Sequence, residues 1–488
     1  MVGSRAAEAT ASVLGPGGPG SGRAGTGRLK SSARPDLRPA TGEASLPDTK
    51  KVLFVAYYFP PAGGSGVQRV LKFVRYLPEF GWQPVVLTAR NADYPTLDPT
   101  LSAEVPPGVQ VVRSPIVEPY ALYRRLTGRE AVQHLDVAVL SRPEGEKQKL
   151  AERFSEWVRR TFFIPDARVG WTPFGVAAGL RILADPQVRV VVSSAPPYTT
   201  HVIGLGLHEL SGKPWVADFR DSWVDWVSAP RRRGLPRRLD VALEGLVVRK
   251  ATRVVTVTRG VAEDLLSRHP EARDARWRLI PNGFDAADFA DVVPRPRDGR
   301  LTLIYTGSLY GARRPTTLLK ALREVAARNP EVLSELKLVF VGRIAEALRE
   351  ELLSSSLSGI VEIHEYVPHR ESLAYLLAAD VALLFIDDTP TNRGIVTGKL
   401  FEYLGARRPV LAFAPPDGDA ASLIRDLDAG WVVRPGDVAA ATRALEEIYN
   451  RWKRGALRPL ATERVQPFER RELTRQLAAL LDEVVGGR

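Results

Sequence analysis

The chain of 488 residues has no cysteine and one methionine. Without thiols it forms neither disulfides nor thiolate metal sites, and a reducing cytoplasm is its simplest home. Its six histidines are too scattered to build a zinc cluster by spacing. Long apolar runs are lacking too. None approaches the roughly 18 residues that cross a bilayer, which argues against an integral membrane protein, and no apolar segment near the start suggests a secretory signal. What remains is an ordinary globular composition, 44% hydrophobic and 25% charged. A chain of this length is expected to form about two to three domains. The formal net charge of +12 calls for an anionic partner, either a phosphorylated small molecule or an anionic membrane surface. No nucleic-acid recognition module is visible.

Residues 1–49 are rich in Gly, Ala, Ser, Pro and Arg without apolar periodicity and read as a disordered tail. Order is expected from Lys51, where Val52 to Tyr57 forms a buried-strand run, followed by Gly63-Gly64-Ser65-Gly66 and a helical period from Val67 to Phe80. Further strands are predicted at Pro84–Thr88, Val109–Val112, Arg189–Ser194, Trp215–Phe219 and Val254–Val257. After the polar connection Asp285–Gly299 a second series follows, at Leu301–Tyr305, Lys337–Val341, Val361–His364, Asp380–Ile386, Pro409–Phe413 and Trp431–Val433. Strands alternating with helices imply parallel sheets covered on both faces. The expected architecture is α/β with two Rossmann-like domains, residues 50–297 and 298–465. A C-terminal helix within 466–488 is expected to cross back onto the first.

The stretch Asp380–Phe413 carries the clearest chemical signal. A helix opening at Thr397 or Gly398 aims backbone N–H groups and the positive end of its dipole at an anion, Lys399 adds an ammonium, and Glu402 follows one turn later. The same residues also read as a plain core helix, with Leu400, Phe401 and Leu404 on one face. Gly394 to Lys399 lacks the Walker spacing of a P-loop. Two other strands of the second series run into polar loops at Gly307-Ser308, followed by Arg313 and Arg314, and at Gly342-Arg343. Ligands bind at such carboxyl strand ends, and paired arginines suit a diphosphate.

In the first series Gly64 and its neighbours form the turn after the opening strand. Asp218, Arg220 and Asp221 follow another strand and could orient or deprotonate a hydroxyl. His201 is a second candidate base. Asp426 and Asp428 have the form of a metal motif but lie away from any strand end. Trp157 to Ile164, and Trp223 and Trp226 with Arg231, Arg232, Arg233, Arg237 and Arg238, mix aromatic with basic residues, as an interfacial membrane contact does.

Several segments, in this order, resemble the GT-B glycosyltransferases, and among them the retaining family 4. They are Tyr58-Phe59-Pro60-Pro61 with the glycine loop, Asp218 to Trp223, Ile280 to Asp285, Tyr305 to Ser308, Val341-Gly342 and Gly398 to Leu404. The resemblance implies an acceptor domain and a nucleotide-sugar domain facing a cleft, and a diphosphate neutralised without an essential metal or other cofactor. It implies donor contacts at Gly64, Gly307, Ser308, Arg313, Arg314, Gly342, Lys399, Leu400, Phe401 and Glu402, with Asp218, Arg220 and Asp221 near the acceptor. The partners would be a nucleotide sugar and a glycan or lipid-linked acceptor. Family members often carry two glutamates eight residues apart; Glu402 matches the second, and Gly394 stands at the first. A nucleotide-sugar epimerase of the same fold, or a non-catalytic glycan- or nucleotide-binding protein, are the alternatives.

Overall fold

The structure is a computed structural model and describes residues 49–117, 163–224, 226, 232–274, 276–309 and 314–487. The expected tail up to residue 48, Arg313, Arg231 and the basic-aromatic residues 157–162 lie outside the described residues.

Thirteen strands form two all-parallel sheets among the described residues. The first contains β1 (Lys50–Val55), β2 (Trp82–Ala89), β3 (Gln110–Ser114), β4 (Val188–Ala195), β5 (Trp215–Phe219), β6 (Arg253–Thr256) and β7 (Trp277–Leu279), in the order β3-β2-β1-β4-β5-β6-β7. The second contains β8 (Leu301–Thr306), β9 (Leu336–Val341), β10 (Val361–His364), β11 (Val381–Phe385), β12 (Val410–Phe413) and β13 (Gly430–Val433), in the order β10-β9-β8-β11-β12-β13. Winding reverses between β1 and β4 and again between β8 and β11. At such switch points open α/β sheets leave a crevice beyond their carboxyl ends.

Helices α1 (Ser65–Tyr76), α2 (Thr172–Leu183), α3 (Thr199–Ser211), α4 (Gly234–Lys250) and α5 (Arg259–Arg268) belong to the first sheet. Around the second lie α6 (Thr316–Arg328), α7 (Glu346–Ser354), α8 (His369–Ala378), α9 (Gly398–Gly405), α10 (Asp419–Asp426) and α11 (Val438–Lys453). A last long helix, α12, spans Arg470–Gly486. The expected helix Val67–Phe80 is divided: α1 stops at Tyr76, and Leu77–Phe80 tightens into a 3₁₀ turn around Pro78, with Gly81 in the left-handed conformation behind it. The three-residue edge strand β7 was too short to predict from periodicity.

Alternation along the strands sorts the second domain's core into two layers. Leu301, Leu303 and Tyr305 of β8 join Val381, Leu383 and Phe385 of β11 on one face, whereas Ile304, Ala382 and Leu384 take the other. In the first domain Leu473, Leu477, Leu481 and Val484 of α12 pack into the same core as β1, β4 and α1. The last helix thus crosses back to the first domain.

The outgoing and returning connections lie side by side. Phe284 donates its N–H to Phe468 O at 3.1 Å, and Arg470 N–H bonds Phe284 O at 2.7 Å. Gly283 permits this approach, since a Cβ there would stand 2.0 Å from Phe468 O.

Because Leu481 is fully buried in the first domain, Leu481→Ala should lower stability by about 2–5 kcal/mol in urea denaturation followed by tryptophan fluorescence.

Candidate functional site

The carboxyl ends of the two sheets face each other, as the contact between the turn after β6 and the loops after β11 and β12 demonstrates: Thr258 Oγ1 donates to Gly394 O at 3.0 Å. On the second domain's side, two glycine turns are stacked. Gly307, after β8, has φ 106°, and Gly342, after β9, has φ 133°; both angles favour glycine. A Cβ on Gly342 would lie 2.5 Å from Gly307 O, and one on Gly307 would lie 2.4 Å from Lys399 Cε. The lysine side chain therefore lies directly over the bare Gly307 backbone, with its ammonium 5.7 Å from the Tyr305 ring centre. The structure brings together Gly307, Gly342 and Lys399, which are far apart in sequence.

Helix α9 opens beside them, with neither a side-chain cap from Thr397 nor an acidic residue in its first turn. Leu400 and Phe401 follow the core-helix reading in their side chains. Their side chains are in the core, and Leu400 N–H is used on Thr397 O. Glu402 is half exposed and 3.3 Å from His369 Nε2 of α8. That contact, aided by nearby Asp288 and opposed by burial, raises the His369 pKa above its ordinary value. Arg314 is turned toward Glu351 of α7, at 3.6 Å. Ser308 is half buried and accepts the Tyr305 hydroxyl on its carbonyl at 3.0 Å.

On the first domain's side the three predicted charged residues separate into distinct roles. Asp218 is buried and fully engaged: Arg69 donates to both its oxygens at 2.8 to 3.2 Å, and Ser194 Oγ donates at 2.7 Å. Burial alone would raise its pKa, but Arg69 holds it below the usual carboxylate value. Asp218 is thus a buried anion whose oxygens are taken up by Arg69 and Ser194.

Arg220 spends its guanidinium on backbone oxygens of Ala195, Gly66 and Pro196. It pins the glycine turn that Gly64 opens to the exit of β4. Asp221 differs from both. It is half buried, and burial raises its pKa against the opposing effects of Arg220 and a hydrogen bond from Trp226.

His201 is not a base at the cleft. It is wholly buried, 2.8 Å from Ser193 Oγ and against the Phe219 ring at 4.3 Å, and burial lowers its pKa to about 3. Trp223 is a core residue, stacked on Tyr198 at 4.7 Å and donating to Asp240, so it does not form a membrane surface. Arg232 is likewise buried against Asp240. Asp428 follows α10 and pairs with Arg464 at 3.0 Å.

Sequence reading missed a row of residues on α1. Arg69, Lys72 and Tyr76 recur at i, i+3 and i+7 and so share a face. Arg69 also donates to Ile280 O and Pro281 O at 2.8 Å. Lys72, nearly inaccessible, bonds Asp285, Asp288 and Glu104 at 2.7 to 2.9 Å, and Tyr76 OH donates to Asp285 at 2.7 Å. Charged residues on a helix's buried face were the available signal. Glu244 of α4 is a second missed residue; it holds Val224 N–H, Arg268 and His269 at 2.7 to 3.1 Å, steadying the loop that carries Asp221.

Two parallel α/β sheets facing each other across their carboxyl ends make the two-domain layout of the GT-B glycosyltransferases. A family model for glycosyl transferases group 1 matches residues 300–451, and one for a glycosyl transferase 4-like domain matches residues 63–283. The chain belongs to the glycosyltransferases. No curated protein matches it in sequence. Among solved structures it is similar to HepE of Anabaena in complex with UDP-glucose, with 13% identity, TM-score 0.55, and 89% of this chain and 99% of that one covered. The lipopolysaccharide outer core galactosyltransferase WaaB is similar at 12% identity and TM-score 0.52, covering 90% and 99%. A putative UDP-N-acetylglucosamine 2-epimerase from Listeria monocytogenes has 13% identity and TM-score 0.52, covering 90% and 97%. At these identities the likeness is one of fold.

The His201 environment has a pH consequence. An unfolded histidine takes up a proton near pH 6.5, whereas this one resists until about 3, so the unfolded state binds more protons across that window and stability falls as pH drops through it. Between pH 7 and 5 the loss due to His201 should be about 2 kcal/mol, and His201→Leu should flatten that part of a stability-versus-pH series measured by urea denaturation.

Proposed function

We propose that this glycosyltransferase moves a sugar from a nucleotide diphosphate to a glycan or lipid-linked acceptor, with donor on the second domain and acceptor on the first. The observation that carries the donor assignment is Lys399 lying over the bare Gly307–Gly342 turns at the opening of α9. Such an arrangement lets a diphosphate approach backbone closely while an ammonium and a helix dipole neutralise the charge that develops on the leaving group. The positive charge needed for departure is then supplied by the protein, and the reaction needs no metal ion. Glu402, half exposed beside Lys399 on α9, is suited to the donor's ribose or sugar hydroxyls. In a retaining reaction the leaving phosphate helps deprotonate the acceptor. Asp221 is the carboxylate at hand on the acceptor side, and its raised pKa makes it a stronger base than an ordinary aspartate.

The net positive charge and helix α4 support work at an anionic membrane surface. Leu235, Leu239 and Leu246 are 67%, 47% and 38% exposed, and with exposed Ala242 they recur at i, i+4, i+7 and i+11 along one stripe. Arg233, Arg238, Arg249 and Lys250 are exposed around it. The buried face of the same helix holds the Asp221 loop through Asp240 and Glu244, so a docked α4 would keep the acceptor loop close to the lipid surface. No helix among the described residues is long and apolar enough to cross a membrane.

Lys399→Ala should reduce transfer from a nucleotide sugar by about 10²–10³-fold with a melting temperature near that of the parent. A fully active variant would remove the phosphate assignment. Turnover of donor alone, with epimerised sugar released, would instead favour an epimerase. For the membrane reading, sedimentation with phosphatidylglycerol vesicles should give binding that weakens with salt and is lost in Leu239→Asp. Absence of binding at low salt would refute it.

A further inference from the structure

The first-glutamate position of the family pair, Gly394, lies against the other domain. A Cβ on Gly394 would stand 3.3 Å from the carbonyl carbon of Gly260 and 3.5 Å from the Trp226 ring. From the opposite side, a Cβ on Gly260 would meet Gly394 Cα at 2.6 Å and Asp419 Oδ2 at 2.7 Å. The two backbones touch: at Gly260 a Cβ has no room, and at Gly394 one is tight against Gly260 and Trp226.

Around this contact two hydrogen bonds cross between the domains. Thr258 is the N-cap of α5, where its Oγ1 accepts Val261 N–H at 3.2 Å and donates to Gly394 O at 3.0 Å. Its hydroxyl is thereby used in both directions. Asp419, the first residue of α10, accepts Gly260 N–H at 2.7 Å, placing a carboxylate at the positive end of a helix belonging to the other domain. The loops that meet α5 are themselves joined, since Asp419 N–H bonds Arg393 O at 2.8 Å.

We propose that Thr258, Gly260, Gly394 and Asp419 form an interdomain latch that closes the cleft and sets the acceptor loop against the donor loop. Gly394 would then serve closure in place of a glutamate's contact with sugar. Trp226 couples the two functions, because its ring stands 3.5 Å from where a Cβ on Gly394 would lie and it hydrogen-bonds Asp221. Closure at Gly394 fixes where Asp221 stands relative to the donor turns. Thr258 and Asp419 are positioning residues, acting on the reaction through the distance between domains.

The decisive substitution is Gly260→Ala. It keeps every hydrogen-bonding group and favours the helix, yet its methyl occupies the space where the domains meet. Because the chain has no cysteine, Leu210→Cys and Leu353→Cys, 66% and 48% exposed, accept one fluorophore each in the full-length protein, one per domain. In the parent, energy transfer between them should report one narrow distance distribution. In Gly260→Ala and Asp419→Ala the distribution should broaden to longer values. kcat/KM for sugar transfer should fall about tenfold, the order expected for one charged hydrogen bond, with no loss of melting temperature in Gly260→Ala. Asp419→Asn, which keeps an acceptor oxygen, should restore most of both readouts. Gly394→Glu should open the cleft further and lower activity. The latch is overturned if Gly260→Ala and Asp419→Ala leave the distance distribution unchanged, or if Gly394→Glu is more active than the parent. A fall in activity without any change in distance also overturns it.

Discussion

The buried pair of Arg69 and Asp218 is the constraint on which the first domain's cleft wall depends. A guanidinium and a carboxylate taken out of water must satisfy each other fully, and breaking such a pair leaves an uncompensated charge at a cost of about 3–5 kcal/mol. Here the satisfaction extends past the pair. Arg69 binds the carboxyl end of β5 through Asp218 and the chain leaving the domain through Ile280 and Pro281. A single side chain of α1 thus fixes where the loop after β5 begins and where the connection to the second domain departs. Lys72, one turn on, extends the grip to Asp285 and Asp288.

With the frame held this way, two carboxylates three residues apart have their pKa values moved in opposite directions. Asp218 and Asp221 are both drawn toward neutrality by burial, but Asp218 has Arg69 in direct contact while Arg220 beside Asp221 is spent on carbonyls. The first remains an anion with nothing further to accept. The second retains affinity for a proton at the cleft. Divergence of this kind lets one short loop hold a buried structural anion beside a carboxylate that is easier to protonate.

Much of the fold was legible in the sequence because parallel strands buried on both faces write themselves as continuous apolar runs, such as Val52 to Tyr57 and Val381 to Phe385. The glycine-lined edge of the second sheet was legible for a related reason: Gly307 and Gly342 fall where strands end, and Gly398-Lys399 where a helix begins. Roles that depend on a distant partner were not legible. Asp218 looked reactive until Arg69, 149 positions away, was seen against it, and Trp223 looked like a surface residue until Tyr198 and Asp240 were found beside it. Gly394 looked like a missing contact because its neighbour, Gly260, belongs to the other domain. Leu400 and Phe401 suited equally a core face and a binding motif, and packing chose the core.

The side-by-side crossing of Phe284 and Phe468 also orders the way the molecule is made. The first domain's core includes Leu473, Leu477 and Leu481, residues that leave the ribosome only after every strand of the second domain. During synthesis the earlier domain must wait with an apolar face uncovered, whereas the later one has all its strands within a continuous stretch and can complete its core first. A chain read from front to back is therefore finished from the inside outward, and its opening sheet is the last to be sealed.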